Sequence, residues 1–167
     1  VSLQADPVTF CSPSAKETEL IGARLARALP SLATQYAVAY LSGELGAGKT
    51  TLARGFLQGR GFGGAVRSPT YTLLECYELA DLVVVHLDLY RIEDESELEA
   101  LGWRDFLTPG HVLLIEWPDR GGRRLAPADV SVALQAEVPQ HRLALRSHSG
   151  LGSEWLHHLV ELCAGTS

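Results

Sequence analysis

Apolar side chains at Ile21, Leu25 and Leu29 recur every fourth position, a spacing that lays them along one face of a helix, and Ser12 or Ser14 stands where an N-cap belongs. Pro30 ends that helix, and residues 8–10 ahead of it read as a short extended start. The run 36–41 has the length of a buried strand, and a glycine-rich turn leads from it into a helical stretch from Lys49 toward Gln58. Gly59, Gly61, Gly63 and Gly64 mark a loop, after which residues 70–77 carry the Thr and Tyr content of a strand. Residues 82–87 are almost continuously apolar, the pattern of a strand covered on both faces, and they close on Asp88. A helix is predicted at 93–103, a second buried strand at 111–117 ending on Glu116, and a Gly/Arg/Pro loop at 118–127. Two strands that alternate polar and apolar positions, 130–135 and 142–146, precede a last helix at 153–163.

Strands alternating with helices predict an α/β fold with a largely parallel central sheet, helices on both faces, and an antiparallel edge contributed by the last strand pair. A chain of 167 residues suits one domain with its own core, and 46% hydrophobic with 20% charged residues excludes the disordered and fibrous classes. Net charge is −6, with acids gathered at Glu93, Asp94, Glu95, Glu97 and Glu99, the pattern of a solvated helix face. The chain therefore lacks the basic footprint of an autonomous nucleic-acid binder, and any RNA is expected on a partner. Cys11, Cys76 and Cys163 are odd in number and far apart, which speaks against a disulfide framework or a zinc knuckle and fits a reducing cytoplasm. No apolar run nears the roughly 18 residues of a membrane span. The opening VSLQADPVTF has neither the basic flank nor the apolar core of a secretory signal, so export is not expected.

The turn after the strand at 36–41 carries the chemistry. Gly43, Glu44, Leu45, Gly46, Ala47, Gly48, Lys49 and Thr50 match G-x-x-x-x-G-K-[ST] at every constrained position, between a predicted strand and a predicted helix as that motif requires. The glycines let the backbone wrap phosphate oxygens so that amides and the helix N-terminus face negative charge. Lys49 is expected on the β- and γ-phosphates, the Thr50 hydroxyl on Mg²⁺, and Thr51 on the α-phosphate. No N-K-x-D guanine reader is present, so GTP specificity is not expected.

Such a loop also needs a carboxylate at the end of a neighbouring strand. Asp88 and Glu116 both stand there, and ligands in open α/β sheets gather outside the carboxyl ends of strands, so one acid can serve the metal and the other the attacking water. Ser68, Pro69, Thr70, Tyr71 and Thr72 read equally as a nucleotide-sensing switch or as a turn feeding a strand. His86 reads as a packed strand histidine, and Trp117 as core or as a residue stacked on a ligand. Arg120, Arg123 and Arg124 suit a phosphate-contacting lid or a solvated loop.

In this order, GELGAGKTT from Gly43, RSPTYTL at 67–73, HLDLYRI at 86–92 and IEWP at 115–118 resemble the bacterial TsaE (YjeE) proteins, the ATPases of the tRNA threonylcarbamoyladenosine pathway. The resemblance spans about residues 18–146. It implies a P-loop NTPase fold and a cytoplasmic ATP hydrolase that works with the TsaB and TsaD proteins. Together these transfer a threonylcarbamoyl group from its adenylate to the adenosine beside the anticodon in tRNAs reading codons that begin with A. TsaD carries the transfer, and TsaE uses ATP to reset the complex. Carried over by residue, Lys49 and Thr50 resemble the phosphate and Mg²⁺ contacts, Glu116 the second Mg²⁺ ligand, Asp88 the acid needed for hydrolysis, and Ser68 to Thr72 the switch. Glu17, Thr18 and Arg142 are the candidates for adenine or ribose. Two rival classes remain at this point. One is a small-molecule kinase with Arg120 to Arg124 as its lid; the other is a nucleotide-dependent switch protein with negligible turnover.

Overall fold

The computed structural model describes residues 6–165, so the first five residues of the stretch read for a secretory signal lie outside it. The chain begins with β1 (Val8–Ser12) and α1 (Ala15–Ala28), where Ser14 is the cap: its side chain accepts from the Glu17 amide at 3.2 Å. Then come β2 (Ala37–Ser42), α2 (Lys49–Gly59), β3 (Leu74–Glu78) and β4 (Val83–Asp88). They are followed by α3 (Glu95–Ala100), β5 (His111–Glu116), β6 (Val130–Gln135), β7 (His141–Ser147) and α4 (Gly150–Ala164).

All strands join one seven-stranded sheet in the order β1-β7-β6-β2-β5-β4-β3. β6, β2, β5 and β4 run parallel at its centre, while on one side β7 pairs antiparallel with β6 and β1 antiparallel with β7, and on the other β3 pairs antiparallel with β4. The sheet thus has two antiparallel edges rather than the single one expected, and β6 belongs to the parallel block. The second edge follows from a short connection. Only a tight turn, with the Leu79 amide bonded to the Leu82 carbonyl at 2.9 Å, joins β3 to β4, and a parallel crossover needs a dozen residues or more.

Successive side chains of the central strands supply two apolar clusters, one on each face. Ala39, Leu41, Val84 and Leu114 pack under α1, α2 and α4, with Phe56 and Trp155 meeting edge to face at 6.3 Å. Val38, Val85, Leu87 and Leu113 pack on the other face with Leu98 and Trp103. α1 and α2 cross at glycines: a Cβ on Gly55 would stand 2.0 Å from the Glu19 carbonyl oxygen.

Two predicted elements differ from those observed. The helix at 93–103 shortens to Glu95–Ala100 because Asp94 caps it, accepting from the Ser96 amide at 2.7 Å, and Gly102 at φ 65° breaks it before a separate 3₁₀ turn at Trp103–Phe106. Residues 70–73 form a turn, not the start of a strand: Leu73 sits at φ 63° with its amide on the Pro69 carbonyl at 2.7 Å. Among the described residues no helix is long and apolar enough to cross a membrane.

Candidate functional site

The turn from β2 to α2 needs its glycines. Gly43, Gly46 and Gly48 take φ of 147°, 78° and 104°, and a Cβ on Gly43 would stand 2.4 Å from the Leu134 carbonyl oxygen on β6. Leu52 is the first residue of α2 to donate back to the turn, to the Gly48 carbonyl at 2.9 Å, so the amides of the first helical turn face outward without a helical acceptor. Lys49 curls inside the loop it follows. Its ammonium donates to the Gly43 and Glu44 carbonyls at 2.7 and 2.8 Å and lies 4.3 Å from the centre of the Trp117 ring. With 5% exposure, Lys49 has its pKa lowered by burial, against the opposing pull of Glu116, Asp88 and Glu44.

β4 and β5 run side by side in register, which sets Asp88 directly against Glu116 at their C-terminal ends. Oε1 of Glu116 accepts from the Thr50 hydroxyl at 2.9 Å and lies 2.8 Å from Nε2 of His86. Asp88 is held from two segments: Oδ2 accepts from the Ser68 hydroxyl, ahead of β3, at 3.0 Å, and Oδ1 from the Tyr90 amide, just after β4, at 3.0 Å. Thr70 donates to the Ser68 hydroxyl at 2.8 Å, which ties the turn at 68–70 to the acid. Lys49, Thr50, Ser68, Thr70, Asp88 and Glu116 therefore share one cleft of about 390 Å³. Tyr71 turns out to solvent with 85% exposure, and Thr72 bonds Glu75 at 2.9 Å instead of facing the cleft.

Behind Gly46 and Gly48 lies a second recess of about 380 Å³, walled by the start of α1 and the β6–β7 turn. Thr18 lines it, buried and bonded to the Ser12 hydroxyl at 2.7 Å, whereas Glu17 and Arg142 do not. His141 does line it, with Nδ1 3.0 Å from the Ala47 carbonyl. None of Arg120, Arg123 and Arg124 lines the cleft, and Arg124 is ion-paired with Glu95.

The family model described as "Threonylcarbamoyl adenosine biosynthesis protein TsaE" matches residues 12–144. This chain belongs to the TsaE family. The matched span reaches from the end of β1 into β7 and so contains every residue of the cleft. A tRNA threonylcarbamoyladenosine biosynthesis protein TsaE of Haemophilus influenzae is 44% identical over 132 residues, covering 78% of this chain and 84% of that one. Its Bacillus subtilis counterpart is 37% identical over 105 residues, covering 63% of this chain and 57% of that one. In fold, the chain matches the crystal structure of Bacillus subtilis YdiB with a TM-score of 0.77 at 24% identity, over 97% of this chain and 99% of that one. The TsaE-family chain has a P-loop NTPase-like α/β fold.

The cleft of this TsaE-family chain also holds residues that sequence reasoning passed over. Tyr90 and Arg91 line it, and Arg91 stacks on the Tyr71 ring at 4.7 Å. Their signal was proximity to Asp88 in HLDLYRI. Trp117, left between core and stacking, is a cleft residue held at φ 56°, a conformation unfavourable for so bulky a side chain. Its amide bonds the Leu41 carbonyl at 3.2 Å and its ring packs on Tyr90 at 4.9 Å.

Proposed function

We propose that this protein is a cytoplasmic, Mg²⁺-dependent ATPase that acts with the TsaB and TsaD proteins in threonylcarbamoyl modification of the adenosine next to the anticodon of tRNAs reading codons that begin with A. One observation carries the reading: the Thr50 hydroxyl and the Glu116 carboxylate meet in the cleft that also holds the Lys49 ammonium and Asp88. The first-turn amides of α2 and the Gly43 to Gly48 backbone bind phosphate oxygens, and Lys49 exchanges its two carbonyl partners for the β- and γ-phosphates. The donors at Thr50 and Glu116 are hard oxygens, which fit Mg²⁺. The ion, when bound there, neutralises charge on the phosphates. Asp88 keeps lone pairs beyond those used by Ser68 and Tyr90 and orients the attacking water. The nucleoside extends past Gly48 into the recess lined by Thr18. With a net charge of −6, RNA contact falls mainly to the partners.

The test mixes the purified chain with Mg²⁺–ATP, alone and with TsaB and TsaD proteins, and follows phosphate release and co-elution on a sizing column. Slow release alone and faster release with partners is the expected result. Neither release nor co-elution under any condition overturns the proposal, and a phosphorylated small molecule as product converts it to a kinase.

A further inference from the structure

His86 stands two residues before Asp88 on β4, paired in register with Leu114 of β5 and Glu75 of β3. Its exposure is 0%. By the alternation of the strand it shares a sheet face with Val84, which together with Leu114 belongs to the apolar cluster containing Leu52, Ala53 and Phe56 of α2. One ring nitrogen is used: Nε2 lies 2.8 Å from Oε1 of Glu116. The other, Nδ1, is buried and has no hydrogen-bond partner.

An ionised carboxylate only accepts, so Nε2 carries the proton it shares with Glu116, and Nδ1 is left in the core without a partner. A buried ring nitrogen without a partner costs stability, and an aliphatic side chain at this position would spare the fold that cost. Packing therefore gives no reason for a histidine here. The reason lies in Glu116, whose Oε1 accepts from His86 on one side and Thr50 on the other.

We propose that His86 is a positioning residue: its Nε2–H pins Oε1 of Glu116 and thereby holds the carboxylate in the orientation that, with Thr50, receives Mg²⁺. The inference rests on the proposed reading of Glu116 as a metal ligand. Outer partners of this kind act on affinity by fixing ligand orientation, and their loss typically costs about 10–100-fold in metal affinity or activity.

The experiment titrates MgCl₂ against the full chain with a fixed concentration of a fluorescent ATP analogue, and records thermal melting without nucleotide. His86→Leu is expected to raise the Mg²⁺ concentration for half-maximal nucleotide binding about tenfold or more, with a cooperative melting transition showing that the chain is folded. His86→Gln, whose terminal amide reaches as far as Nε2, is expected to restore most of the Mg²⁺ response; His86→Asn, one methylene shorter, is not. An unchanged Mg²⁺ requirement in His86→Leu, alongside a raised one in Glu116→Ala, would show His86 to be a packed residue and overturn the proposal while leaving the role of Glu116 intact. An unchanged requirement in Glu116→Ala as well removes the underlying reading and this inference with it. Should His86→Leu fail to fold, equal and wild-type-like Mg²⁺ responses in the Gln and Asn variants overturn the proposal.

Discussion

The Thr50 hydroxyl donates to Oε1 of Glu116 at 2.9 Å, joining the first turn of α2 to the last residue of β5. A metal ligand stabilises the bound ground state, so Glu116→Ala should raise the Mg²⁺ concentration needed for nucleotide binding, and excess metal should partly restore it. Calorimetric titrations of ATP at stepped Mg²⁺ concentrations check this. An unchanged Mg²⁺ dependence counts against the assignment.

Asp88, one strand over, should behave differently. A group that orients the attacking water matters mainly as the transition state forms, so Asp88→Asn should bind Mg²⁺–ATP nearly normally and lose turnover by about 10²-fold or more. Because Asp88 also anchors Ser68, Ser68→Ala is the control. If Ser68→Ala loses as much turnover in single-turnover assays, Asp88 acts by holding the turn and not on water.

In the proposed reading Lys49 carries the cation nearest the phosphates. Lys49→Ala should weaken ATP binding at least tenfold, about 1.4 kcal/mol. Calorimetry on the folded variant, with affinity unchanged, would remove Lys49 from the site.

Trp117 offers an optical readout of the same lysine. Trp103 and Trp155 are fully buried in the two apolar clusters, whereas Trp117 lines the cleft under the Lys49 ammonium. Adding Mg²⁺–ATP should change the intrinsic tryptophan fluorescence, and Trp117→Phe should abolish most of that change. A full-sized signal in the variant would place the source elsewhere.

The crossing of α1 and α2 makes a prediction about stability. Alanine is the better helix former by about 1 kcal/mol, but a Cβ on Gly55 meets the Glu19 carbonyl oxygen at 2.0 Å and its Cα at 2.5 Å. Overpacking costs about 1–3 kcal/mol, occasionally more, and against backbone atoms it outweighs the propensity gain. Gly55→Ala should therefore lower stability in urea denaturation, and a neutral or stabilising result would mean the helices separate freely at this point.

What could be read from the sequence was local. The β2–α2 loop was legible because its residues are contiguous and its glycines, lysine and threonine carry their chemistry in their order. β4 and β5 were legible because strands covered on both faces must be apolar throughout, and their terminal acids mark where the sheet meets solvent. α1 showed itself by the period of Ile21 and Leu25 and by a cap candidate at Ser12 or Ser14, of which the structure uses Ser14. These are consequences of backbone periodicity and side-chain type, which each segment bears by itself.

Pairing between distant segments belonged to the tertiary structure. Only the parallel register of β4 and β5 sets Asp88 beside Glu116, and only the packing of α2 over β5 gives Glu116, rather than Asp88, the bond to Thr50. The bond from Ser68 to Asp88, which ties the turn at 68–70 to the cleft, joins residues 20 positions apart. His86 reads as core in a one-dimensional pattern because burial and apolar neighbours look the same whether or not a ring nitrogen reaches a carboxylate. The recess behind Gly48 is formed by α1 and the β6–β7 turn, far apart in the chain, so Thr18 and His141 share it while Glu17 and Arg142 point elsewhere. The sequence by itself determined which segments form helix and strand and where the glycine-rich loop falls, since those depend on neighbours along the chain; which acid meets which hydroxyl was decided by long-range packing, since a hydrogen bond depends on ångströms that no local pattern encodes.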